Sequence, residues 1–194
     1  MDGMRTDAEL MELYRRGSRD AFEELFARHH RRVIHFCYRM TGDQARAEEA
    51  AQEVFLRIAR AASTYQPTAR FTTWMYTIAR RTTLNFLRDE KEDGEKVPIY
   101  DNGEGRDAAE GLPLPGPEEW DPERIAWGEQ LKEKFVEALQ NLPEGHRSAF
   151  LLNRAEGLSY DEVATVLNIT VQAVKSRIFR AREALLTELS GILK

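Results

Sequence analysis

Residues 157–182 read GLSYDEVATVLNITVQAVKSRIFRAR, and the order of signals in that stretch decides the fold. Ser159 followed three residues later by Glu162 is a capping box, which opens a short helix over 161–167. Asn168-Ile169-Thr170 makes a tight connection, and the Thr170 side chain can cap a longer helix over 171–189. Val163, Leu167, Ile169, Val174 and Ile178 are spaced to pack the two helices across that turn. The unit reads as a helix-turn-helix, whose second helix is the one offered to a DNA major groove. Upstream, Leu142-Pro143-Glu144 starts a preceding helix through HRSAFLLNRAE, which Gly157 can stop in a left-handed conformation.

Charge on the second helix supports that reading. Between Val171 and Arg182 stand Lys175, Arg177, Arg180 and Arg182, with no acid among them. Gln172 and Ser176 near its start can reach base edges while the later arginines lie beside phosphates. An ordinary helical hairpin with a solvated basic face is the bland alternative, and it leaves the conjunction of turn, cap and charge unexplained.

Working outward, the rest of the chain is helical as well. Phe22, Leu25, Phe26, Val33, Ile34 and Cys37 fall at three- and four-residue spacings over 21–40 and form one apolar stripe. Thr41-Gly42-Asp43 breaks that helix, with Asp43 a candidate cap for 44–62; a turn at Thr64-Tyr65-Gln66-Pro67 leads to a further helix over 71–91. Strand patterns are absent, so the fold class is all-α. Tyr65, Arg70, Phe71, Trp74, Tyr76, Arg80, Arg81, Asn85 and Arg88 interleave aromatic rings with bases, which is what single-stranded DNA binding uses. Each aromatic taken singly is better read as core.

The whole-chain charge of -5 argues against nucleic acid until it is divided along the chain. Residues 1–24 carry -3, 25–91 carry +6, 92–130 carry -9 and 131–194 carry +1. The segment from Asp93 to Asp121 holds five Gly and four Pro, with few apolar side chains to bury, and reads as an extended acidic linker. The expected organisation is therefore a helical domain over 1–91, a linker over 92–122 and a helix-turn-helix domain over 123–194, the two positive lobes held apart by the acidic segment. The acids near the N-terminus do not suit a signal peptide and no apolar run approaches bilayer length, so a cytoplasmic location without membrane insertion is expected. The single Cys37 fits a reducing compartment. His29, His30, His35 and Cys37 have spacings that do not converge on one helix face, so no metal is expected there, but a buried cysteine among surface histidines. With no Gly-rich phosphate loop, nucleophile elbow or paired catalytic carboxylates, no cofactor and no catalytic residue is expected.

From about Ala21 to Leu189, AEEAAQEVFLRIARAASTYQPTARFTTWMYTIARRTTLNFLR and LPEGHRSAFLLNRAEGLSYDEVATVLNITVQAVKSRIFRAREAL, in that order, resemble a bacterial extracytoplasmic-function sigma factor of the sigma-70 family. The resemblance implies a non-enzymatic, dissociable subunit that binds core RNA polymerase, through its beta and beta-prime subunits, and directs it to a promoter subset. It places Glu49, Gln52, Glu53, Phe55 and Leu56 in the polymerase dock. Tyr65, Gln66, Arg70, Phe71, Trp74, Arg80, Arg81 and Asn85 fall at the melted minus-ten element of promoter DNA. Thr170, Gln172, Lys175, Ser176, Arg177, Phe179, Arg180 and Arg182 fall at the duplex minus-thirty-five element. It further implies an anti-sigma factor as a partner and a linker running near the RNA path; the -9 charge of this linker, with Asp101, Glu104, Asp107 and Glu110, suits a segment repelled by DNA, and with five residues after Leu189 no large appended C-terminal control domain is expected. A stand-alone regulator using only the helix-turn-helix leaves QEVFL unexplained, and an enzyme or helical scaffold leaves the basic helix unexplained.

Overall fold

The computed structural model describes residues 5–92 and 129–190, with the side chains of 89–92 and 129–131 not included. The acidic linker, with Asp101, Glu104, Asp107 and Glu110, lies outside the described residues. Those residues form helices without strands: α1 Asp7–Arg15, α2 Arg19–Thr41, α3 Gln44–Ala61, α4 Phe71–Glu92, α5 Glu129–Gln140, α6 Glu144–Phe150, α7 Tyr160–Leu167 and α8 Val171–Ser190.

In the N-terminal lobe, α2 and α3 pack side by side and α4 lies across both. Asp43 caps α3 by accepting the Arg46 N–H at 2.8 Å. Gly42 ends α2 at φ +77°, donating its N–H to the Tyr38 carbonyl. The Gln140 side chain stands 3.1 Å from where a Cβ on Gly42 would lie, so both conformation and space favour glycine there. The buried side of α2 is Ala21, Leu25, His29, Val33, Phe36, Cys37 and Met40. Phe26, expected in the stripe, is 42% exposed. His29, expected at the surface, is buried and meets Asp7 at 2.8 Å, because α1 docks over it and buries Leu10 and Met11.

In the C-terminal lobe α5, α6 and α7 all pack on α8. The Ser159–Glu162 capping box is formed, and Asn168 makes the turn in the left-handed conformation at φ +55°. The helix that begins at Glu144 widens into a π-turn over Leu151–Ala155 before Gly157 ends it at φ +73°.

The lobes are not held apart. α4 packs on α7 and α2 on α5, and buried side chains of both lobes belong to one continuous cluster. Helix termini leave carbonyls without intrahelical partners, and here the opposite lobe supplies the donors. Gln140 donates to the Arg39 carbonyl at 3.0 Å and Arg147 to the Met40 carbonyl at 2.5 Å, both at the end of α2.

Candidate nucleic-acid interface

The orientation of α8 follows from its buried stripe, Val174, Ile178, Ala181, Leu185 and Leu189. At about 100° per residue, the opposite face carries Gln172, Ser176 and Phe179, with Lys175 and Arg180 on its shoulders. Gln172, Lys175 and Arg180 are exposed, Ser176 is half-buried and Phe179 is 47% exposed. Lys175 Nζ lies 5.8 Å from the Tyr160 ring centroid, a cation–π contact that steadies the cation beside the turn. Thr170 is exposed at the helix start, where its hydroxyl accepts the Ala173 N–H at 3.2 Å. Arg177 and Arg182 fall on the flanks of the buried stripe and are half-buried. The Arg177 guanidinium lies over Gly145 of α6, close enough that a Cβ there would stand 2.8 Å from its Nη1. These two arginines border the helix's seat, Gln172, Lys175, Ser176, Phe179 and Arg180 line its open side, and Thr170 stands exposed at its start.

The aromatic-basic stretch divides among three environments. Tyr65 and Phe71 are each 4% exposed and belong to the core, because the turn after the 3-10 segment Ala62–Thr64 folds Tyr65 beneath it. Their rings therefore support the surface rather than present a face to a base. Trp74 is half-buried, its ring edge-on to Tyr65 at 4.8 Å, while Gln66 and Arg70 are exposed in the loop above. Arg81, Asn85 and Arg88 are exposed and share the Trp74 side of α4. Arg80 is one step round the helix and faces the C-terminal lobe, where its Nη2 meets Glu144 Oε1 at 2.9 Å.

Asn85 also borders a cleft between α3 and α4 with Phe86, Glu49, Gln52, Glu53, Leu56 and Arg57. Leu56 is 51% exposed there, whereas Phe55 is 6% exposed and packs edge-on to Phe26 at 4.8 Å. The expected pair of apolar anchors is thus a single exposed leucine over a buried phenylalanine. Glu53 is engaged within its own helix, accepting Arg57 Nε at 2.7 Å. Arg57 and Phe86 were not singled out in the sequence; the i, i+4 spacing of Glu53 and Arg57 was the available signal.

Among the described residues no group of three His, Cys, Asp or Glu side chains could hold a metal ion. His30 Nδ1 meets the Phe26 carbonyl at 3.0 Å, and Cys37 is buried against Thr83, its Sγ 3.3 Å from the hydroxyl. Burial pushes the Cys37 thiol up to about 11. No helix among the described residues is long and apolar enough to cross a membrane.

Sigma-70 region 2 matches residues 25–92 and sigma-70 region 4 matches residues 132–185, one in each lobe. The pair defines a promoter-directed transcription initiation factor. RNA polymerase sigma-H factor of Pseudomonas aeruginosa is 34% identical over 192 residues, covering 97% of this chain and 96% of that one. Sigma factor CarQ of Myxococcus xanthus is 35% identical over 95% of this chain and 97% of its own. The ECF sigma-E factor of Escherichia coli is 32% identical over 97% of each. The chain belongs to the extracytoplasmic-function sigma factors of the sigma-70 family, which direct RNA polymerase to specific promoters. The fold is that of the solved CnrH, in complex with the cytosolic domain of CnrY, at TM-score 0.69 and 22% identity over 95% of this chain and 97% of that one. Sigma factor RpoE of Bartonella quintana, solved with the anti-sigma factor NepR, has the same fold at TM-score 0.66 and 20% identity over 87% of this chain and 96% of its own.

Proposed function

We propose that this sigma factor divides its work between its lobes: the α3–α4 cleft docks core polymerase, the Trp74 side of α4 holds the melted minus-ten strand, and α8 reads the minus-thirty-five duplex. The observation that carries this assignment is the open side of α8, where Gln172, Ser176 and Phe179 stand between Lys175 and Arg180 with no acid before Glu183. A polar amide and hydroxyl can contact base edges while the two cations neutralise flanking phosphates. On α4, Trp74 offers a partial ring face beside Arg81 and Arg88, the pairing that single strands need. Phe71 and Tyr65 set the tilt of that ring from below.

In the cleft, the exposed Leu56 is the apolar anchor, and Glu49 and Gln52 give polar partners to a basic or amide-bearing helix of the polymerase. The chain acts by binding and has no catalytic centre of its own; with core polymerase and chromosomal DNA as partners, it works in the cytoplasm. An anti-sigma factor is a further proposed partner, of the kind seen with RpoE of Bartonella quintana. The domains assigned to these tasks are 1–91 and 123–194.

The assignment is tested by capture of the full chain on immobilised core polymerase, followed by run-off transcription over a promoter library. Leu56→Asp is expected to lose core capture, while Gln172→Ala keeps capture and changes the selected minus-thirty-five sequences. Unchanged capture by Leu56→Asp would remove the cleft from the account.

A further inference from the structure

Helix α1 covers α2 and also packs on the 3-10 segment Ala62–Thr64, which leads into the turn at Tyr65. Asp7, in its first turn, places Oδ2 2.8 Å from Nε2 of His29 on α2 and Oδ1 2.9 Å from Arg28 Nη1. Burial lowers the His29 pKa, so the neutral ring donates its Nε2–H to the carboxylate. The ring held in this way lies 5.3 Å from that of Phe71, the first residue of α4. Phe71 in turn lies 5.9 Å from Trp74, and the Tyr65 ring lies 6.3 Å from Phe71 and 4.8 Å from Trp74. One unbroken set of contacts thus runs from the start of α1 to the half-buried Trp74 ring.

The polar atoms of this set are poorly suited to stability alone. His29 Nδ1 and the Tyr65 hydroxyl are buried and have no hydrogen-bond partner. A buried polar atom without a partner destabilises the fold, and leucine or phenylalanine would fill the same space without that effect. Leucine could not fix a ring's orientation. The directional bond to Asp7 selects one placement of the His29 ring, and close-packed neighbours pass that choice on to Phe71 and Trp74. The Asp7 carboxylate reaches the other branch as well, since burial first and Asp7 second raise the Tyr65 pKa.

We propose that Asp7 and His29 are a positioning pair for minus-ten recognition: α1, through Asp7, fixes the His29 ring against Phe71 and so holds Trp74 at the tilt at which a base of the melted strand stacks on it. Neither residue of the pair touches the strand. Stacking needs the ring held to within about 0.5 Å and 10–20°. A Trp74 free to rock loses affinity to the ordering it undergoes when the strand arrives. The pair acts on the strand site alone, because the Leu56 cleft is lined from α3 and α4 and the reading face of α8 lies in the other lobe.

This inference rests on the assignment of the Trp74 side of α4 to the minus-ten strand, and the experiment separates the two. Holoenzyme reconstituted from the full chain is titrated with a fluorescent minus-ten single-stranded oligonucleotide, beside core capture by the same variants. His29→Leu and Asp7→Ala are each expected to weaken strand binding about tenfold, and the double variant no more than either alone, because both break one contact. His29→Gln, whose amide can still donate to Asp7, is expected to recover most of the loss, with core capture unchanged throughout. In the free chain carrying Trp120→Phe and Trp127→Phe, which leaves Trp74 as the single tryptophan, emission is expected to shift with His29→Leu and to return with His29→Gln. Strand binding at the parent value in both single variants overturns the proposal. So does a loss of core capture in step with strand binding, or a double variant whose loss is the product of the two. Arg81→Gln tests the assignment itself: unchanged strand binding there sinks the assignment, whereas weakened binding by Arg81→Gln with none by His29→Leu removes the positioning pair alone.

Discussion

Arg80 of α4 and Glu144 of α6, 64 residues apart in sequence, form an ion pair at 2.9 Å across the junction of the lobes. Its neighbour Arg81 is exposed on the open side of the same helix. Two consecutive arginines, equivalent in sequence, therefore have different surroundings.

Their substitution should separate accordingly. Glu144 is partly exposed, so the pair contributes at most about 1 kcal/mol. Arg80→Gln is expected to lower Tm by about 2–4 °C, and Arg81→Gln to leave it unchanged while weakening binding of a minus-ten strand to the holoenzyme. Thermal unfolding and fluorescence anisotropy check the two effects. Equal Tm losses would contradict the different placements.

Phe55 and Leu56 offer a second adjacent pair with opposite fates. Phe55→Ala removes a buried ring and should cost about 3–5 kcal/mol of stability. Leu56→Ala removes an exposed side chain and should stay within about 0.5 kcal/mol, yet weaken core polymerase by tenfold or more, a loss of at least about 1.4 kcal/mol. Urea unfolding and a core-binding titration measure both.

On α8, substitutions should sort by what each residue faces. Gln172→Ala is expected to relax the preference at one base position by about 1–3 kcal/mol. Arg180→Ala should weaken all promoters alike and reduce the log–log salt slope by about 0.9. Competition binding of the holoenzyme to single-base variants across a salt series reads both quantities.

His29 gives a pH dependence whose sign is fixed by its surroundings. Burial lowers its pKa below the ordinary 6.5, and although the Asp7 carboxylate opposes this, desolvation prevails. A base with a depressed folded pKa binds fewer protons than its unfolded counterpart, so its contribution to stability is present above 6.5 and is lost as pH falls through the folded value. Stability should decline as pH falls from 6.5 to the folded value and level off below it, and α1, tied to His29 through Asp7, should loosen first. Hydrogen exchange at Leu10 and Met11 across pH 5–7 reads this directly, as an order-of-magnitude window around the ordinary histidine range. His29→Gln should flatten the profile.

How much of this was written in the sequence depends on the range of the interaction. The α7–turn–α8 unit was legible throughout, because the Ser159–Glu162 box, the left-handed Asn168 and the Val174–Ile178 stripe all act within a few residues. Helix α1 was not read from the sequence although the Thr6–Glu9 capping box announces it; its nine residues gain stability from burying Leu10 and Met11 against α2, which no local pattern states. Helix α5 was passed over as well, its four buried apolar residues, Phe135, Val136, Ala138 and Leu139, being set among charges. The site was half legible. Residue types put Tyr65, Phe71 and Trp74 together, but only packing decides that two of the rings are floor. The junction of the lobes left no trace, because Arg80 meeting Glu144 and Arg32 meeting Glu156 are pairings without period. An arginine that awaits phosphate and one that holds a glutamate look the same in a sequence.

The central claim is that promoter recognition belongs to the assembled enzyme and uses both lobes at once. It is tested most directly by measuring the affinity of the purified full chain for promoter duplex with and without core RNA polymerase. Binding and strand opening only in the presence of core, with both abolished by Leu56→Asp, is the predicted result. Tight sequence-specific binding to the duplex by the free chain, unaffected by core or by Leu56→Asp, would contradict it.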